Sequence, residues 1–122
     1  MVDYLIDKGG LALADRIERS AADQNVPALC DAEVISGLRS ATLRREITRE
    51  RARMALDHYL ALPLIRHQNA GLLGRALELE TFSAYDAIYV ALAERLDAAL
   101  LTTDRRLARA VLATRGLGVR LA

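Results

Sequence analysis

The sequence predicts an α/β fold built on a mainly parallel sheet. Short apolar runs alternate along the chain with longer stretches whose apolar residues recur at helical spacing. That alternation makes successive strands parallel and joins them by right-handed crossovers. The junctions carry turn and capping residues, and three of them also carry an acid. At 122 residues, 52% of them hydrophobic, the chain is long and apolar enough for a single domain with a buried core, and its composition excludes disorder.

The opening, Val2 to Asp7, reads two ways. Val2, Tyr4 and Ile6 alternate as in a strand, yet the same residues fit the last turns of a helix stopped by Gly9-Gly10. Leu11 to Ala22 predicts a helix with Leu13 and Ile17 on its inner face. Val26 to Cys30 predicts a short strand with Pro27 near its start. Asp31 to about Ile47 predicts a long helix. Val34, Ile35, Leu38 and Ala41 form its apolar stripe, Asp31 can cap it, and Glu33 falls in its first turn. Thr48 opens another helix, with Ala52, Ala55, Leu56 and Tyr59 inward. A strand over Leu62 to His67, a helix from Gly71 to about Leu79, a helix from Ser83, a strand over Ala98 to Leu101, a helix from Arg105 to about Ala113 and an edge strand over Gly118 to Leu121 complete the chain. It contains no internal repeat, low-complexity segment or linker.

The net charge of +1 excludes a strong pull of the whole molecule on nucleic acid or membrane. Of the 17 basic residues only Lys8 is lysine. Arginine's planar fork suits phosphate and carboxylate, but the abundance of Ala and Leu makes genomic base composition the main reason for the bias. Arg44, Arg45, Arg49, Arg51 and Arg53 cluster at one helix–helix turn, first as a solvated surface and second as a phosphate- or partner-binding patch. The single Cys30 excludes an internal disulfide and reads as an inert buried thiol. His58 and His67 lack partners at zinc-ligand spacing. The acidic N-terminus does not resemble a signal peptide, and the apolar run Ala87 to Ala93 is far short of the ~20 residues of a membrane span, so a cytoplasmic protein is expected.

The chemistry concentrates in Ser83 to Leu107. Asp86 falls in the first turn of a helix and Asp104 just past the end of a strand. Ligands of open α/β sheets collect outside the carboxyl ends of the strands. Two carboxylates at that edge suit a hard divalent cation such as Mg²⁺. Each acid also has a purely structural use. Ser83-Ala84-Tyr85-Asp86 has the form of a capping box, and Asp104 can cap the helix after it. Glu33 near a helix start can stabilise the helix dipole by ~0.3–1 kcal/mol.

Three segments together closely resemble the PIN-domain family, in particular VapC-type toxin ribonucleases. They are the stretch from Pro27 through Asp31 and Glu33 to Leu38, the helix Tyr85-Asp86-Ala87-Ile88-Tyr89-Val90-Ala91-Leu92-Ala93, and Leu100-Leu101-Thr102-Thr103-Asp104-Arg105-Arg106-Leu107. The likeness covers nearly the whole chain. It implies a three-layer α/β/α sandwich with a carboxylate cluster at one sheet edge, where Mg²⁺ or Mn²⁺ supports RNA cleavage. Glu33, Asp86 and Asp104 match three of the family's four acids as catalytic and metal-binding residues. Thr102 and Thr103 fall where the family often places a hydroxyl. It also implies pairing with a small antitoxin and homodimerisation.

The family's fourth acid lies near the end of the first strand, followed two residues later by Ser or Thr. Val2-Asp3-Tyr4-Leu5 aligns best with the helix after that strand, and Leu5 occupies the hydroxyl position, so Asp3 does not take the role. The expectation is a single domain over residues 1–122 lacking the first strand at its N-terminus. The alternative is a register shift that moves Val2 to Ile6 into the vacant strand and Asp7 to its carboxyl end. Two other functions compete with the nuclease. One is a PIN-like module that binds an antitoxin or a second copy without cutting. The other, a receiver- or phosphatase-like domain, needs a lysine late in the chain, and the only lysine is Lys8.

Overall fold

A computed structural model describes residues 4–6, 24–102, 104–115 and 119–121. The strands are β1 (Tyr4–Ile6), β2 (Gln24–Pro27), β3 (Leu64–His67), β4 (Ala99–Thr102) and β5 (Val119–Leu121). The helices are α1 (Leu29–Leu43), α2 (Arg49–Ala61), α3 (Leu73–Glu78, entered through a 3₁₀ turn at Ala70–Leu72), α4 (Ala84–Leu96) and α5 (Arg105–Arg115). All strand pairs are parallel, in the order β3-β2-β1-β4-β5. Crossovers run one way from β2 to β3 and the other way from β3 to β4 and β5. Right-handed connections therefore put helices on both faces, giving the expected α/β/α sandwich.

The central strand is not vacant: the segment that the alternative moves into it is the one that fills it. Tyr4–Ile6 fills the centre of the sheet, with Tyr4 and Leu5 opposite Gln24 and Asn25, and Tyr4 to Ile6 opposite Ala99 to Leu101. The alternating residues at the N-terminus are too few to separate a strand from a helix end by pattern. The fold decides, because a strand in this slot pairs the facing backbone groups of β2 and β4, which would otherwise be buried without partners. The helix expected over Leu11 to Ala22 lies outside the described residues, as do Asp7 and Thr103.

Two boundaries move for local reasons. The strand expected over Val26 to Cys30 stops at Pro27, and α1 begins at Leu29. Asp31 does not cap α1, because the helix begins at Leu29 and leaves Asp31 inside its first turn; the Leu29 N–H donates instead to Asn69 Oδ1 at 3.1 Å. The same helix ends at Leu43, not near Ile47, because Arg45 adopts a left-handed conformation with φ 60°. The Arg45 N–H then donates to Thr42 O and the Glu46 N–H to Ala41 O, the paired bonds of a Schellman stop.

The core lies under α4, which packs on β1, β2 and β4. Ala87, Tyr89, Val90, Ala91, Leu92 and Ala93 are all buried, so most sides of α4 are covered. Val26, Val34, Leu72, Leu100 and Val111 join it from the surrounding elements. The Arg75 guanidinium donates to Glu94 at 2.7 Å and ties α3 to α4. Among the described residues no helix is long and apolar enough to cross a membrane.

Candidate active site at the carboxyl edge of the sheet

The strand order reverses between β1 and β4, so the carboxyl ends of those two strands flank the crevice where α/β folds collect ligands. Each expected acid is brought to this edge by a different element. Helix α1 starts two residues after β2 ends, which leaves Glu33 just over one turn from the edge. Helix α4 runs back against the sheet to feed β4, so its N-terminus, with Asp86, returns to the same edge. Asp104 follows directly on the end of β4.

Glu33 is half-buried, and its Oε1 accepts a hydrogen bond from the Tyr89 hydroxyl at 2.7 Å. Tyr89 is buried on α4, one turn after Asp86. This one contact ties the acid on α1 to the helix that carries the second acid. Burial, and after it Cys30 and Glu33, push the Tyr89 phenol far above its usual range, so it stays a donor at neutral pH. Tyr89 is a residue of the site that the sequence does not single out. Its only signal in the sequence is a hydroxyl-bearing ring on an otherwise aliphatic buried helix face.

Asp104 fills the structural use expected of it, whereas the Asp86 carboxylate does not close the capping box. The Asp86 N–H donates to Ser83 Oγ at 3.3 Å, the forward half of the capping box. Among the described residues the Asp86 carboxylate has no hydrogen-bond or ion-pair partner, although it is half-buried. Asp104 caps α5: its Oδ1 accepts from the N–H groups of Arg106 at 2.9 Å and Leu107 at 3.1 Å. Its own N–H donates to the hydroxyl of fully buried Thr102 at 2.9 Å.

Asp31, the neighbouring acid on α1, is committed elsewhere. It accepts from Tyr59 Oη at 2.7 Å and from Arg66 Nε at 2.9 Å. Partial burial works against its ionisation, but the bonds from Arg66 and then Tyr59 outweigh it and hold the carboxyl below its usual range. Cys30 is buried, as expected, and burial pushes its thiol up.

Three carboxylates are the right donors for a hard cation. Among the described residues, however, no three His, Cys, Asp or Glu side chains converge closely enough to form a metal cage. Mg²⁺ does not require one, since it usually keeps several waters and takes one or two protein carboxylates together with substrate phosphates. The donor set fits such a cation in kind.

The arginine cluster lies at the turn between α1 and α2. Beside it a groove of about 520 Å³ has an apolar floor that includes Leu38 and Leu56 and a rim of Arg39, Arg45, Arg49 and Arg53. Arg53 also pairs with Asp57 at 3.1 Å on the exposed side of α2.

The PIN domain family model matches residues 4–111. Ribonuclease VapC1 of Mycobacterium tuberculosis is 43% identical over 115 residues, which span 90% of this chain and 84% of that protein. Ribonuclease VapC9 of the same species is 44% identical over 84 residues, 68% of this chain and 66% of the relative. The crystal structure of PAE2754 from Pyrobaculum aerophilum superposes with a TM-score of 0.71 at 23% identity, over 97% of this chain and 83% of the other. VapBC2 from Rickettsia felis, solved bound to a DNA fragment from its promoter, superposes with a TM-score of 0.67 at 15% identity over 98% of both chains. At these identities the two structures speak for the fold.

Proposed function

The chain belongs to the PIN-domain family, and on that premise we propose that it is a metal-dependent endoribonuclease, the toxin of a toxin–antitoxin pair. What supports this reading is the 43% identity to ribonuclease VapC1, together with a topology in which the elements carrying Glu33, Asp86 and Asp104 start at the carboxyl edge of one parallel sheet. These three acids would hold Mg²⁺ or Mn²⁺. The cation would lower the pKa of its water and act as Lewis acid on the scissile phosphate.

The protein's own residues set the stage for that chemistry. Tyr89 fixes the rotamer of Glu33 through Oε1. The α5 N-terminus fixes Asp104 through two backbone donors. Asp86, with no cation among the described residues to neutralise it, supplies negative charge that a metal would compensate. Carboxylates brought together without a counterion repel one another, so metal binding should stabilise the fold. RNA in the cytoplasm is the substrate. A small antitoxin is the protein partner, and the groove between α1 and α2, apolar below and cationic at its rim, supplies a surface suited to an acidic protein segment. The chain functions as a homodimer.

The test is Mn²⁺ titration by calorimetry, followed by RNA cleavage with and without chelator, using Asp86→Asn as control. Binding and cleavage that both vanish in the mutant, and cleavage that stops in chelator, are the expected results. A folded protein that binds no metal and cuts no RNA would overturn the reading and leave a non-catalytic binding module.

A further inference from the structure

A second groove runs from Glu33 along the exposed side of α1. It holds about 480 Å³ and is lined by Ala32, Glu33, Ser36, Gly37, Ser40 and Tyr85, with Leu29 at its base. That volume lies within the ~300–1,000 Å³ of small-molecule sites. Tyr85 stands immediately before Asp86 in the first turn of α4, and it is 58% exposed. Three tyrosines fall in the described helices, at positions 59, 85 and 89. Two of them, Tyr59 and Tyr89, are buried and bonded to acids, while Tyr85 turns its ring outward. A Cβ added at Gly37 would meet nothing within 4 Å, so the groove is open at that point for want of a side chain.

From the exposed ring beside the acids and the groove next to it, we propose that this is a subsite for an unpaired nucleobase of the RNA. One base flanking the scissile phosphate stacks on Tyr85, and Ser36 and Ser40 offer hydroxyls to its polar edge or to the ribose. Single-stranded RNA is recognised mainly by splayed bases stacked on aromatic rings and hydrogen-bonded at their edges. The groove shares Glu33 with the candidate active site, so a base held here puts the adjoining phosphate at the carboxylates. Small side chains at Ala32, Ser36, Gly37 and Ser40 leave the width that a base needs.

The inference rests on the ribonuclease reading, and its experiment separates the two. Binding of a fluorescein-labelled single-stranded oligoribonucleotide is followed by anisotropy in Ca²⁺, and cleavage is followed in Mg²⁺. Base–aromatic stacking lost on alanine substitution predicts about ten-fold or more weaker binding for Tyr85→Ala, with Tyr85→Phe near wild type. Gly37→Leu should fill the groove and weaken binding similarly. It should not lower the unfolding midpoint, since the added Cβ clashes with nothing and leucine favours a helix more than glycine does. Wild-type affinity in both Tyr85→Ala and Gly37→Leu, with wild-type cleavage intact, overturns the subsite and spares the nuclease. An oligonucleotide that no variant, wild type included, binds or cuts counts against both. A change of sedimentation mass in Tyr85→Ala also overturns the subsite, because it makes the ring part of a contact between two copies.

Discussion

At the scale of single residues, the site depends on who holds each carboxylate. Tyr89 holds Glu33 through one 2.7 Å bond, made by a ring that is otherwise packed in the core. Tyr89→Phe keeps the packing and removes the donor. It should lower the unfolding free energy by about 1.5–3 kcal/mol, the worth of a hydrogen bond to a charged group. It should also slow RNA cleavage more than it weakens RNA binding. Unchanged cleavage would mean that Glu33 is oriented by something else. Asp31 makes the contrasting case. Its carboxyl titrates below the usual range because Arg66 and Tyr59 bond to its ionised form. A depressed pKa contributes stability above the unfolded value, ~3.9 for aspartate, and loses it as pH falls through the folded value. Asp31→Asn should therefore be less stable than wild type at neutral pH, with the gap closing as acid protonates the native carboxyl. Urea midpoints across a pH series measure this. A gap that stayed constant into acid would assign the loss to hydrogen-bond geometry and not to charge.

At the scale of elements, termini decide as much as cores do. Arg45 ends α1 in the left-handed region, where an L side chain is strained by roughly 1–2 kcal/mol. Glycine relieves that strain but frees the unfolded chain, so Arg45→Gly should gain about 0.5–1 kcal/mol in urea unfolding. A loss instead would show that the Arg45 side chain at the groove rim contributes to folding. Much of this level is written locally, and so it was legible. Thr48 and Ser83 announce α2 and α4 because a hydroxyl three residues before a helical N–H is all that a cap requires. Asp104 as the cap of α5 is legible for the same reason. What could not be read are the long-range partners. Asn69 takes over the cap of α1 from 40 residues away, Arg66 claims Asp31, and Tyr89 meets Glu33 across 56 positions. No periodicity encodes such pairs. The sheet edge at which the segments carrying the three acids start is legible, because each acid sits at a strand-to-helix junction or in the first turns of a helix, and an α/β fold returns those to one side.

At the scale of the whole molecule, the fold and the site hang on its shortest central element. Strand β1 has three residues, yet it bridges β2 and β4 and so joins the half of the sheet that positions Glu33 to the half that positions Asp104. Without it, β2 and β4 would face each other across an empty slot, each with a row of unpaired backbone groups under α4. The net stability of a domain is only ~5–15 kcal/mol, which the loss of one central ladder can consume. Leu5 stands at the middle of the strand, opposite Asn25 on one side and Leu100 on the other. Proline there removes an N–H from the ladder, whichever neighbour receives it, and the interior of a sheet does not tolerate that. Leu5→Pro should abolish cooperative unfolding by circular dichroism and, with it, Mn²⁺ binding. Arg45→Gly, at the far end of α1, should leave Mn²⁺ binding intact. If Leu5→Pro instead unfolds cooperatively and still binds Mn²⁺, then the edge is assembled by α1, α4 and β4 without the central strand. The acids would in that case be organised by helix packing, through contacts such as Tyr89 to Glu33, and not by the sheet.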